Sequence, residues 1–329
     1  MDRGQPPRPG AGAVDRPPHG PARPALRGAA RVGGGGVTAH GTAHGTAHGT
    51  DHGTAHDTAL GAAVGTVLGT VERLRRHPVK SLLGEDVRES AVDGRGLAGD
   101  RARALLDVTT GRIASAKHPR LWAALLGYTA ATVDGGVTIT GPDGRAVDEA
   151  ELSEALGRKV ALIAERPPGA SLERSVPEEV LAHGIDEEVD FTVTELGRAA
   201  PDGGFFDFAP LHLITTSTLH ATAAEAERYR PNLVIHTDGE GYVENAWVGH
   251  DLAIGPTLRL RIVAPSPRCA VPTLRHGPLP RHPDALRTPA ARNRRIPLPG
   301  MPALPCAGVY ATVLTPGRIT LGDEVTLLN

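Results

Sequence analysis

The sequence predicts a mainly β fold (α+β) with a few short helices, and three observations predict it. Apolar and polar residues alternate over short runs such as VLGTVERLRR (67–76) and TLRLRIVAP (257–265), the period-two pattern of half-buried strands. Glycine turns such as DGRG, AGD and TTGR separate those runs at close spacing, which is the punctuation of antiparallel β structure. No stretch alternates strands with long helices, and no G-x-x-x-x-G-K-[ST] pattern occurs, which argues against a nucleotide-binding parallel sheet.

In chain order, residues 1–64 stand apart. A Pro/Gly/Arg-rich opening is followed by TAHG repeated with period four. So few large apolar residues cannot offset the entropy of ordering, and disorder is the expectation. His40, His44, His48, His52 and His56 would line one helical face, an arrangement suited to adventitious metal binding. Gly41, Gly45, Gly49 and Gly53 oppose that helix at about 1 kcal/mol each.

Residues 65–165 read as a small antiparallel barrel or sandwich. A strand ends at His77-Pro78, PRLWAALLG forms a short helix, a hairpin turns at Gly135-Gly136, and EAELSEALG is a helix closed by Gly157. Residues 166–204 are acidic and turn-rich and read as a connection. In residues 205–329 a strand feeds a helix capped by Thr216 or Ser217. Three strands follow, then a short helix in RHPDALRTPAARNRR and two closing strands around a Gly-Asp turn.

Composition narrows the function. The net charge of −2 gives no electrostatic footprint for nucleic acid or anionic lipid. The apolar run 59–71 is too short to span a bilayer. Two cysteines, Cys269 and Cys306, form neither C-x-x-C nor a disulfide framework, which fits a reducing compartment and a cytoplasmic location.

Several short stretches carry candidate chemistry. PVKSL (78–82) offers Lys80, Ser81 and a free amide to an anion, and GLAGDR (96–101) adds Arg101 after a glycine turn. Taken alone, each also fits an exposed surface turn. RPN (230–232) sets Arg230 and Asn232 at the head of a strand, and Asp207 lies between aromatics in FFDFAP. Cys269 follows Arg268, whose charge favours a thiolate. A structural thiol, a nucleophile and a metal ligand all remain open for it. Cys306, without an adjacent charge, reads as a small hydrophobe.

These pieces, in this order, resemble a known family. PVKSL, GLAGDRARALLD and TGRIASAKHP resemble the N-terminal β-barrel that precedes MOSC domains. DFAPLHLITTSTL, YRPNLVIH, PRC, GVYA and LGDEVTLL resemble the MOSC domain itself. The resemblance spans residues 65–329 and implies an N-terminal barrel followed by a β-barrel MOSC domain, with molybdopterin between them. It implies that Lys80, Ser81, Arg101, Arg230, Asn232 and Tyr310 hold the cofactor. Cys269 would ligate molybdenum, with Asp207 as a catalytic carboxylate near the metal. One departure stands out: family members often carry two threonines shortly after the cysteine, whereas CAVPT places Pro272 at the first and keeps Thr273. Arg275 and His276 are expected as exposed loop residues near the substrate mouth.

The implied function is reduction of small N-hydroxylated or N-oxide compounds, with Asp207 relaying protons. Electrons would come from a separate ferredoxin, flavoprotein or cytochrome, because two cysteines cannot hold an iron–sulfur cluster of the four-cysteine type. Two alternatives are a sulfur carrier using a Cys269 persulfide, working with a cofactor-maturation partner, and a non-catalytic cofactor-binding module. A pyridoxal-phosphate desulfurase domain is not expected in this chain.

Overall fold

The computed structural model describes residues 65–197 and 203–328; the TAHG repeat and its histidines lie outside the described residues. The architecture is mainly β with short helices, and a closed ring of seven strands dominates it. Around the ring run Leu211–Thr215, Leu233–His236, Gly65–Arg76, Glu324–Leu328, Asp251–Ile254, Leu258–Pro267 and Leu304–Thr315. The last pairs back to the first. Six junctions are antiparallel. The seventh, Leu211–Thr215 with Leu233–His236, is parallel. Parallel neighbours need a long crossover, which the helices Thr216–Thr222 and Ala226–Tyr229 supply. Inward residues of all seven strands, among them Leu74, Leu213, Ile235, Leu252, Ile262, Val309 and Val325, form the main core.

The cap of the first crossover helix is Thr215, one residue before the expected pair, because the strand runs straight into the helix. Thr215 Oγ1 accepts from the Thr218 amide at 3.1 Å. The same hydroxyl donates to Glu244, a fully buried carboxyl that also accepts from Thr218 Oγ1 at 2.7 Å and the Gly308 amide at 3.0 Å. Burial pushes the Glu244 carboxyl up from the usual range.

A second core lies among residues 79–160 and is built on Val79, Leu82, Leu105, Trp122, Leu125 and Val160. Short ladders surround it: Ala104–Asp107 pairs with Arg112–Ile113 and Val160–Ile163, and Thr129–Val133 with Gly136–Thr140. The helix Glu149–Leu156 has Asp148 and Glu151 as a reciprocal capping box and stops at Gly157, whose φ of 61° suits a residue without a Cβ.

Two strands cross the division drawn from the sequence. Gly65–Arg76, at the head of the N-terminal portion, is a member of the C-terminal ring. Gly317–Thr320, near the C-terminus, pairs with Glu89–Asp93. The closing region therefore holds three strands, not the two expected. The segment read as a connection contains a hairpin, Ser171–Ser175 with Phe191–Glu195, and the helix Pro177–His183 between its arms. Phe191–Glu195 alternates apolar and polar residues in its sequence, FTVTE, but is exposed over most of its length, with Phe191 and Val193 at the surface instead of in a core. Among the described residues no helix is long and apolar enough to cross a membrane.

Glu244→Ala takes the carboxyl acceptor away from two hydroxyls and one amide in the core, and should lower the unfolding free energy by about 2–4 kcal/mol. Glu244→Gln keeps an acceptor for Gly308 and should lose less than half of that, as read by urea denaturation.

Candidate functional site

Three backbone positions near the ring's rim are locally unfavourable. Ser81, Arg101 and Arg230 have φ of 67°, 47° and 56°, in the left-handed region that non-glycine residues rarely occupy. Five such non-glycine residues exist among the described residues, and these three line one cleft. Conformations of this kind persist only where surrounding contacts over-determine them. Ser81 Oγ accepts from the Ala116 amide at 3.2 Å. The Arg101 amide donates to His77 O at 2.7 Å while its carbonyl accepts from the Phe205 amide at 2.9 Å. Arg230 ends the helix Ala226–Tyr229 and precedes Pro231, which cannot continue it.

The cleft that these three residues line is a cavity of about 90 Å³ that opens to solvent. All eight residues singled out in the sequence line it: Lys80, Ser81, Arg101, Asp207, Arg230, Asn232, Cys269 and Tyr310. Lys80 Nζ donates to Phe205 O at 3.1 Å and to Asp207 Oδ1 at 2.8 Å. The Arg101 guanidinium meets the Asp100 carboxylate, donates to Arg230 O at 3.2 Å and approaches Asn232 Oδ1 at 3.4 Å. Asn232 is fully buried; its Oδ1 accepts from the His212 amide at 3.0 Å and its Nδ2 donates to Arg75 O at 3.3 Å. The Tyr310 ring lies between Phe208 and His212, at 5.3 Å and 5.6 Å.

Lys117, in the stretch IASAKHP, carries no functional signal in the sequence but is central here: its Nζ lies 2.7 Å from the same Asp207 oxygen as Lys80. Burial brings the Lys117 ammonium down to about 8 against the attraction of Asp207. Burial, then Arg101, brings Arg230 down to about 9. Burial also opposes ionisation of Asp207, but Lys117 and Lys80 outweigh it and hold the carboxyl well below the usual range. No local signal pairs Lys117 with a carboxylate ninety positions away.

Cys269 is a half-buried free thiol on the cleft wall. The Arg268 guanidinium, expected to act on it, is engaged elsewhere. It donates to Ser266 Oγ at 2.7 Å and Tyr229 O at 2.9 Å, and lies over the Tyr229 ring. Cys306 is fully buried inside a strand, and burial pushes its thiol up to about 11. Thr273 donates to Ala270 O at 2.7 Å within its own turn and does not line the cleft. His276 corrects the sequence expectation: it is 1% exposed and packed beside the Leu274 carbonyl, while Arg275 is exposed.

Two family models match the chain: the MOSC N-terminal beta barrel domain over residues 68–162 and the MOSC domain over residues 203–326. The chain is a MOSC-domain protein. The MOSC family is associated with molybdenum-cofactor binding. Comparison with curated proteins returns no match. A solved structure, the YUAD protein from Bacillus subtilis, aligns at 11% identity over 79% of this chain and 94% of its own, with a TM-score of 0.33. A hypothetical protein of known structure aligns at 13% identity over 42% of this chain and 64% of its own, with a TM-score of 0.27.

The donor set of this MOSC cleft fits a multiply charged anion. Lys80, Arg101, Lys117, Arg230 and Arg268 face it against the single carboxylate of Asp207, and the desolvated Arg230 and Lys117 gain from a partner. Among the described residues no three His, Cys, Asp or Glu side chains group as a metal site. A metal here would therefore take one soft thiolate from the protein and its remaining donors from a cofactor.

Because folding brings the Lys117 ammonium down to about 8 from the ordinary lysine value of 10.5, its charge costs stability fully below about pH 8, and that cost fades between there and 10.5. Millimolar pyrophosphate should therefore raise Tm at pH 7 by roughly 3–8 °C, and by less at pH 9.5. Differential scanning fluorimetry reads both, and Arg230→Gln should remove more than half of the rise.

Proposed function

We propose that this protein is a molybdenum-cofactor-dependent oxidoreductase that removes oxygen from N-hydroxylated or N-oxide compounds. The observation that carries the reading is Cys269 sharing one cleft with five cationic side chains drawn from both halves of the chain. That combination suits a phosphorylated pterin bearing a soft metal. Lys80, Ser81, Arg101 and Arg230 would bind the anionic part, Asn232 would hold Arg101 and the strand of His212 in register, and Cys269 would supply the protein thiolate. When bound, the group supplies a centre that accepts oxygen and exchanges two electrons.

Reducing an N–OH group to N–H consumes two electrons and two protons and releases water. The electrons come from a separate ferredoxin, flavoprotein or cytochrome. Asp207, held as the anion by two ammoniums, is poorly suited to give up protons near neutral pH; it anchors Lys80 and Lys117 instead. Lys117, brought down to about 8, is the side chain suited to hold and return a proton there.

Protein from a host that makes molybdopterin should carry near-stoichiometric molybdenum and oxidisable pterin, with molybdenum reduced at least fivefold in Cys269→Ser. The loaded wild type should reduce benzamidoxime with an artificial reductant, and Lys117→Gln should lower kcat/KM by at least about tenfold. Cofactor retained without turnover would favour a binding module. Neither molybdenum nor pterin in the wild type, with labile sulfur on Cys269 after incubation with a desulfurase and cysteine, would replace the proposal with sulfur transfer.

A further inference from the structure

A second chamber of about 210 Å³ adjoins the cleft and shares Lys117, Asp207, Phe208, Arg268, Cys269 and Tyr310 with it. Its outer wall joins one cation, Arg174, to an apolar surface of Pro297, Leu298 and Met301. Leu298 and Met301 are 37% and 39% exposed, more than their chemistry favours.

Arg174 comes from the hairpin that the sequence left as a connection. Its neighbour Glu173 is bound by Arg112 and by His118 Nδ1, the latter at 2.8 Å. The Ser175 amide donates to Lys117 O at 2.9 Å and ties the strand to the segment carrying that lysine. Strand alternation sends Arg174 to the face opposite Glu173, where it lines the chamber. The other cations there are engaged: Lys117 with Asp207, and Arg268 with Ser266 and Tyr229. Arg174 has no carboxylate partner among the described residues, and its Nε is buried without a hydrogen-bond partner. Its charge reaches Asp207, but that carboxylate is already held by two ammoniums.

We propose that this chamber selects monoanionic substrates with an apolar body. Arg174 holds the carboxylate, Leu298 and Met301 cover the aryl or alkyl part, and the reducible end faces Cys269. The selection rests on the reductase reading; the binding does not. A guanidinium paired with a carboxylate in a partly desolvated wall discriminates strongly against an uncharged isostere.

The test is calorimetric titration of full-length protein with 3-phenylpropanoate and with its uncharged amide. Saturating pyrophosphate would be present to occupy the inner cleft. The carboxylate should bind about tenfold tighter or more, a gap expected of one charge-assisted pair. Arg174→Gln should erase the preference and leave amide binding unchanged, Arg174→Lys should keep part of it, and Leu298→Ser should weaken both ligands. Equal affinities in the wild type, a preference that survives Arg174→Gln, or loss of all binding once pyrophosphate is present would each overturn the proposal. Cofactor-loaded protein would then be given benzamidoxime and 4-carboxybenzamidoxime. Carboxylate selectivity in binding with reduction of neither compound would sink the reductase reading alone; reduction of both without preference would sink the chamber's role in selection.

Discussion

Positive charge crowded into one cleft is the constraint on which the rest of this molecule turns, because nearly every unusual feature around it serves to hold like charges together. Asp207 binds two ammoniums through one oxygen, and Asp100 meets the Arg101 guanidinium. Backbone carbonyls take up most of what remains: those of Phe205, Leu82, Arg230 and Tyr229 accept from Lys80, Arg230, Arg101 and Arg268. Carbonyl dipoles can accept from a buried cation without cancelling its charge. The cleft thus keeps a field that favours anions while few of its donors are left bare. Strain at Ser81, Arg101 and Arg230 belongs to the same arrangement, since each residue is turned into a conformation that only the surrounding contacts justify.

Rigidity of the cleft follows from Asn232 and its neighbours. One buried amide side chain links the amide of His212, the carbonyl of Arg75 and the Arg101 guanidinium. The strand Leu211–Thr215, the strand Gly65–Arg76 and the turn bearing Arg101 therefore meet through a single residue. Groups drawn from distant parts of the chain are in this way fixed against one barrel wall, which suits a site whose ligand must be gripped by both cores.

Much of this was legible in the residues. Turn glycines and alternating runs marked most strands, and Gly157 marked its helix end, because those signals are local. The eight cleft residues were legible only as separate motifs; what joined them was a resemblance in order and wording, and their shared cleft is a property of the three-dimensional fold. Lys117 and Arg174 went unassigned for different reasons. The first acquires meaning only from a carboxylate remote in sequence. The second sits in a hairpin whose partner strand, FTVTE, does alternate but is only five residues long and buries little, inside a stretch whose acidic and turn-forming residues read as a connection. His276 misled in the opposite direction: a histidine between arginine and glycine reads as surface, but its ring is buried beside the Leu274 carbonyl.

The interchange of strands has a consequence in time. The ring cannot close until Glu324–Leu328 takes its place beside Gly65–Arg76, and these segments lie at opposite ends of the described chain. During synthesis at about 5–20 residues per second, the edge of the first strand that faces Glu324–Leu328 therefore waits unpaired until residues 77–323 have been made. Contacts of such separation also slow closure after release. The polar and charged residues along that strand, Thr66, Thr70, Glu72, Arg73, Arg75 and Arg76, keep the waiting edge less sticky than an all-apolar strand would be.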